Sequence, residues 1–149
     1  MHPSIELAPG AEENGLAMML ADLVRQNLDS KPHKRGDFDA LTGSVAIVAD
    51  DADVALTLRF AAGTLVIHDG IVGIPDVTIR GSSDTILALS NMPLMGRLGL
   101  PIPHPRDKEA VKTVRYVVDA MRSGAFHVYG AAFHVPLLMR LTRVMSVNG

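Results

Sequence analysis

From Val54 to Ile79 the chain changes sides at nearly every residue. Val54, Leu56, Leu58 and Phe60 alternate with Ala55, Thr57 and Arg59, and Leu65 and Ile67 alternate with Val66 and His68. Such alternation is the mark of strands that bury one face and leave the other to solvent. Each run stops on a turn signal: Asp50-Asp51-Ala52-Asp53, then Ala61-Ala62-Gly63, then Asp69-Gly70 with Gly73-Ile74-Pro75 close behind. Ser44–Ala49 before the first turn and Asp76–Arg80 after the last complete four strands, Val77 and Ile79 facing inward. Connections this short predict an antiparallel meander.

Helical spacing flanks this block. Leu16, Met19, Leu20, Leu23, Val24 and Leu28 make one apolar stripe that ends at Asp29-Ser30-Lys31-Pro32, and Lys31–Gly36 reads as a basic, solvated connector. Gly81-Ser82-Ser83-Asp84 supplies a helix cap before a short helix through Ile86, Leu87 and Leu89. Asp107–Arg122 is amphipathic, with Ala110, Val111, Val114, Val117, Val118 and Met121 on one side. Phe126–Tyr129 alternates as a fifth strand. After Gly130 a last helix carries Phe133, Leu137, Leu138, Leu141, Val144 and Met145. Strands grouped in this way among helices predict an α+β layer design, helices covering one face of a largely antiparallel sheet. At 149 residues the chain is read as one domain, 1–149.

Composition narrows the function. With 48% hydrophobic and 20% charged residues the chain is not disordered. A net charge of −2 and 4% aromatics leave neither a field nor stacking platforms for nucleic acid. The absence of Cys removes disulfides, thiolate nucleophiles and zinc or iron–sulfur sites, and suits a cytoplasmic location. The first residues show no secretory signal, and every apolar run is shorter than the ~18–20 residues that span a bilayer.

No hydrolase elbow, phosphate loop, dinucleotide fingerprint or zinc-protease motif occurs. His127 and His134 have no ligand spacing and read as a strand His and a helix-start His; His68-Asp69 reads as a solvated hairpin edge. Asp50, Asp51 and Asp53 lack the further oxygens of a calcium loop. Arg80 either lies on the exposed sheet face or meets an anionic headgroup. No catalytic residue, metal or cofactor is expected. What remains is an aliphatic surplus, including internal Met residues at 18, 19, 92, 95, 121, 139 and 145, which is either ordinary core or the adaptable wall of an apolar pocket. The stretch Met92–Pro105 is apolar yet barred from regular structure by Pro93, Pro101, Pro103 and Pro105. It is expected to pack down or to form a portal.

The order of these pieces resembles the sterol carrier protein type-2 lipid-transfer domain. The resemblance is carried by Val54–Phe60, Gly63–Ile67, Pro75–Gly81 with Asp84 and Leu87 behind it, and Gly124–Gly130 followed by the helix of Leu137, Leu138 and Leu141. It covers roughly residues 12–91 and 123–146. It implies a five-stranded mixed sheet flanked by helices around a hydrophobic tunnel for sterols, fatty acids, fatty acyl thioesters or isoprenoid lipids, and no catalysis. The lipid-facing candidates it implies are Leu56, Leu58, Phe60, Ile79, Ile86, Leu89, Leu137, Leu138 and Leu141; Met92 and Met95 join them as ligand-binding candidates from the apolar stretch read as a portal. Residues 92–122 depart from the family pattern, and such an insert would lid the tunnel, plug it or form a dimer face.

The expected partner is thus a small hydrophobic ligand. The rival is an accessory or scaffold protein for lipid- or quinone-metabolising enzymes, acting through protein contacts or as a homodimer. Arg140 and Arg143 beside an apolar stripe suit a solvated helix face or transient contact with an anionic membrane.

Overall fold

The computed structural model of the chain describes residues 3–88 and 108–146. Six strands, β1 (Ser4–Leu7), β2 (Gly43–Ala49), β3 (Val54–Ala61), β4 (Thr64–Asp69), β5 (Val77–Gly81) and β6 (His127–Tyr129), form one mixed sheet in the order β1-β4-β3-β2-β5-β6. Among the described residues five α-helices accompany it: α1 (Gly15–Ser30), α2 (Arg35–Ala40), α3 (Ser83–Ala88), α4 (Lys108–Ser123) and α5 (Val135–Met145). The fold is α+β, with a mixed sheet covered by helices. Among the described residues no helix is long and apolar enough to cross a membrane.

The alternating residues meet in register. Leu58 pairs with Val45 and Ile67, Leu56 with Ile47, and Phe60 with Leu65, so every inward position falls on the helix side. There α1 lays Leu16, Ala17, Leu20, Ala21, Val24 and Leu28 on the sheet. Its buried face is turned from the anticipated stripe: Ala17 and Ala21 are inside, while Met19 is exposed, because small residues let the helix approach the strands closely. Asn14 caps α1 by accepting from Ala17 N at 3.1 Å, and its Nδ2 donates to Ala55 O and Asp69 Oδ1.

Three expectations need correction. The sheet has six strands, not five: Ser4–Leu7 pairs parallel to β4, and four residues beside Pro3 are too few to show a period. The meander ends at β4, since β5 pairs parallel with β2 on the far side. Asp69 is level with Ile47 and Val77 with Val45. Residues 70–76 therefore cross three strand spacings of about 4.8 Å each while descending only a short way, well within the ~3.4 Å per residue that an extended chain can reach. They cross the outer face, where Thr57 Oγ1 donates to Gly70 O (2.8 Å) and accepts from Val72 N (3.0 Å). Finally, the basic connector is folded. Lys34 is 2% exposed and donates to Ser146 O, and α2 follows, its Phe38 meeting Phe60 edge-to-face at 6.2 Å.

Candidate functional site

The C-terminal end of α5 is held from two sides. Asn27 Nδ2 of α1 donates to Val144 O (2.9 Å) and Met145 O (3.0 Å), and Lys34 donates to Ser146 O. These donors satisfy the carbonyls that a helix end leaves without intrahelical partners. Arg143 grips Asp37 of α2 with two bonds of 2.9 and 3.0 Å. Burial, with the Lys31 charge nearby, holds Lys34 down at about 8, against a smaller upward pull from Asp37. Anchored at that end, α5 runs over the β5–β6 side of the sheet, where α1 does not reach.

There a cavity of 170 Å³ opens between sheet and helices. Ile47, Leu58, Ile79 and Val128 form its floor with Phe126, Ile86 closes it from α3, and Leu138, Leu141, Thr142 and Met145 come from α5. Among the described residues Thr142 is the one polar side chain in the wall, and its hydroxyl donates to Leu138 O at 2.8 Å. The surface offered to a guest is therefore hydrocarbon. Val128, Leu138, Thr142 and Met145 are half-buried, and Ile47, Ile79, Ile86, Phe126 and Leu141 are buried. Gly81 makes room for this arrangement: a Cβ there would stand 2.9 Å from the Phe126 ring. Gly130, at φ +83°, turns the chain from β6 toward α5 where a Cβ would lie 2.3 Å from Asp76 O.

The structure brings Leu58, Ile79, Ile86, Leu138 and Leu141 together around the cavity. Leu56 and Phe60 are buried outside it, and Leu137 turns to the other side of α5, near Gly43 and a shallow hollow with Leu41. Leu89, Met92, Met95 and the Pro-rich stretch lie outside the described residues. Ile47, Phe126, Val128, Thr142 and Met145 were absent from the sequence-based set. The alternation of Phe126 with Val128 and the helical spacing of Leu138, Leu141, Thr142 and Met145 were the available signals. Of the 92–122 insert, α4 packs on α3, with Val117 buried and Tyr116 Oη 3.4 Å from Thr85 Oγ1, while Val118 and Met121 are exposed.

The charged candidates lie outside the cavity lining. Arg80 Nε meets Asp50 Oδ1 at 2.9 Å on the outer face, across the sheet from Ile79 and the cavity. Asp51 accepts from Ser83 N and Oγ at the start of α3, and these bonds hold its carboxyl below the usual range. His127 stacks on Tyr129 at 5.8 Å. Among the described residues no three His, Asp or Glu side chains are grouped to hold a metal. A second, wider groove of 630 Å³ runs along the outer face beside the 70–76 crossover, where Arg59, His68, Thr64 and Asp76 mix with Val66 and Ile74.

The sequence matches no protein-family model and no curated protein. The structure is similar to that of the ubiquinone synthesis protein UbiJ-SCP2, with a TM-score of 0.56 at 12% identity over 90% of this chain and 95% of that one. The chain has a sterol-carrier-protein-2-like fold. A crystal structure of sterol carrier protein 2 is also similar, with a TM-score of 0.48 at 17% identity over 87% of this chain and 92% of that one. Within this sterol-carrier-like fold the cavity occupies the space between sheet and helices, enclosed by β5, β6, α3 and α5.

Proposed function

We propose that residues 1–149 form a non-catalytic carrier that binds a hydrophobic molecule in the cavity between β5, β6, α3 and α5, and that it works in the cytosol. The observation that carries this reading is the chemistry of the wall, aliphatic and aromatic except for one hydroxyl already used by its own helix. An unpaired polar group pressed against such a wall would cost several kcal/mol, whereas hydrocarbon gains by entering. Among the described residues that lining holds no acid, base or free nucleophile, which supports binding without catalysis. The sterol-carrier-like fold supports the same reading.

Size sets what enters. A cavity of about 150 Å³ accepts benzene, so 170 Å³ holds a ring or a chain end of about six carbons. At ~0.8 kcal/mol per buried methylene that fragment supplies about 5 kcal/mol, near millimolar affinity alone. Micromolar binding needs roughly 3 kcal/mol more from contacts beyond the described wall. The guest is thus an amphiphile or long lipid that inserts its apolar end and keeps its polar end outside: a fatty acid, fatty acyl thioester, isoprenoid or sterol.

The test is titration of delipidated protein with a fluorescent fatty acid, followed by mass spectrometry of lipids extracted from the purified protein. Saturable micromolar binding, weakened at least tenfold by Leu138→Trp while the fold is retained, is expected. Absence of saturable binding across fatty acid, sterol and isoprenoid probes would refute the reading. The likeness to a ubiquinone synthesis protein supports a second, accessory role beside enzymes that act on prenylated quinones. Under that role the extracted lipid is a prenylated ring and the protein is recovered with an enzyme partner; under simple carriage it is an acyl chain or sterol and the protein is recovered alone.

A further inference from the structure

The corner between β6 and α5 puts apolar side chains into water. Phe133 is 88% exposed and Val135 53%, next to the exposed Pro136. A ring left so bare at a loop tip contributes nothing to the core and marks a contact surface when its neighbours suit one kind of partner. Here the charged neighbour is Arg140. Arg140 shares a shallow hollow with Phe133, His134, Pro136 and Leu41, and among the described residues no carboxylate lines it. Arg140 has no ion-pair partner among the described residues, whereas Arg143, one turn further on, is committed to Asp37. The hollow lies against the first turn of an eleven-residue helix, whose dipole also favours negative charge.

We propose that this corner docks on an anionic membrane, with Phe133 and Val135 entering the headgroup boundary and Arg140 meeting a lipid phosphate. Charge complementarity selects the lipid surface, since exposed apolar side chains beside an arginine that no described acid pairs fit an anionic interface. The placement deepens the carrier reading and rests on it for its purpose. Leu138 and Val128, half-buried residues of the cavity wall, lie on α5 and β6 to either side of the corner, so docking would bring the cavity close to the bilayer that supplies or receives the guest.

The experiment is co-sedimentation of the full chain with vesicles of phosphatidylcholine alone and of equimolar phosphatidylcholine and phosphatidylglycerol. Binding to the anionic vesicles only, weakened by salt, is expected. Phe133→Asp with Val135→Asp should reduce partitioning at least tenfold, and Arg140→Gln about fivefold, as for one basic residue at an anionic surface. Unchanged far-ultraviolet circular dichroism and melting would show that the variants fold. Wild-type protein that ignores anionic vesicles, or an Asp double variant that binds them equally well, would overturn the proposal. So would a wild-type dimer that the same double variant dissociates, because the corner would then be covered by a second copy. Leu138→Trp separates the two ideas: it should abolish guest binding and leave vesicle docking intact, so docking without any guest binding would sink the carrier reading alone.

Discussion

The two halves of the core are built from the same strands and packed in opposite ways. Beneath α1, Leu65, Ile67, Leu56, Val24 and Leu28 are all within a few per cent of full burial. Beneath α3 and α5, Leu58, Ile47 and Ile79 instead face a void. Inward strand residues are equally aliphatic in both halves, so composition does not make the difference. The covering helix does. α1 brings Ala17 and Ala21 against the sheet and closes down, whereas α5 is fastened at its C-terminal end to α1, Lys34 and α2 and meets the sheet through long side chains.

The contrast can be broken most severely in the solid half. Leu65→Ala should cost about 3–5 kcal/mol in urea or guanidinium unfolding, since nothing nearby can relax into the space, while Ile86→Ala, beside an existing cavity, should cost about half as much. Equal losses would mean that the halves are packed alike. Next in size is the charge beneath α5. Lys34 is charged in the unfolded chain up to about 10.5 but only to about 8 when folded. Between these values the unfolded state binds more protons, so stability rises with pH from about 8 to 10.5 and is insensitive to this group below that window. The rise should reach at most about 3 kcal/mol and vanish in Lys34→Met, as read from unfolding midpoints across that range. The smallest expected effect is Asn27→Ala, which strips a donor from two buried carbonyls at the α5 terminus and should cost about 1–3 kcal/mol. If α5 is what frames the void, the same variant should also weaken guest binding; unchanged affinity would show that the wall stands without that anchor.

How far the molecule could be read from its sequence divides along similar lines. Elements that carry a period, such as the β2–β4 hairpins, α1, α4 and α5, were legible from spacing. The position of β5 was not, because Val77 and Ile79 look the same whether their neighbour is β4 or β2, and only the length of the 70–76 link permits the crossing. Lys34 looked solvated because a cation's partner, here the Ser146 carbonyl more than a hundred residues away, leaves no local trace. At the site, Leu58, Ile79, Ile86, Leu138 and Leu141 were readable as inward positions. That Leu56 and Phe60 pack solidly while Leu58 between them faces a void depends on which helix passes overhead.

The crossover at residues 70–76 also orders events in time. Until the chain has passed Thr57 and reached Val77, β2 has one flank zipped to β3 and the other bare, a template for unwanted pairing with other chains. The hairpins of β2, β3 and β4 join near neighbours and close quickly, whereas β5 and β6 must wait for longer loops to shut. Any fragment of this protein that stops short of β5 would consequently present a sticky margin.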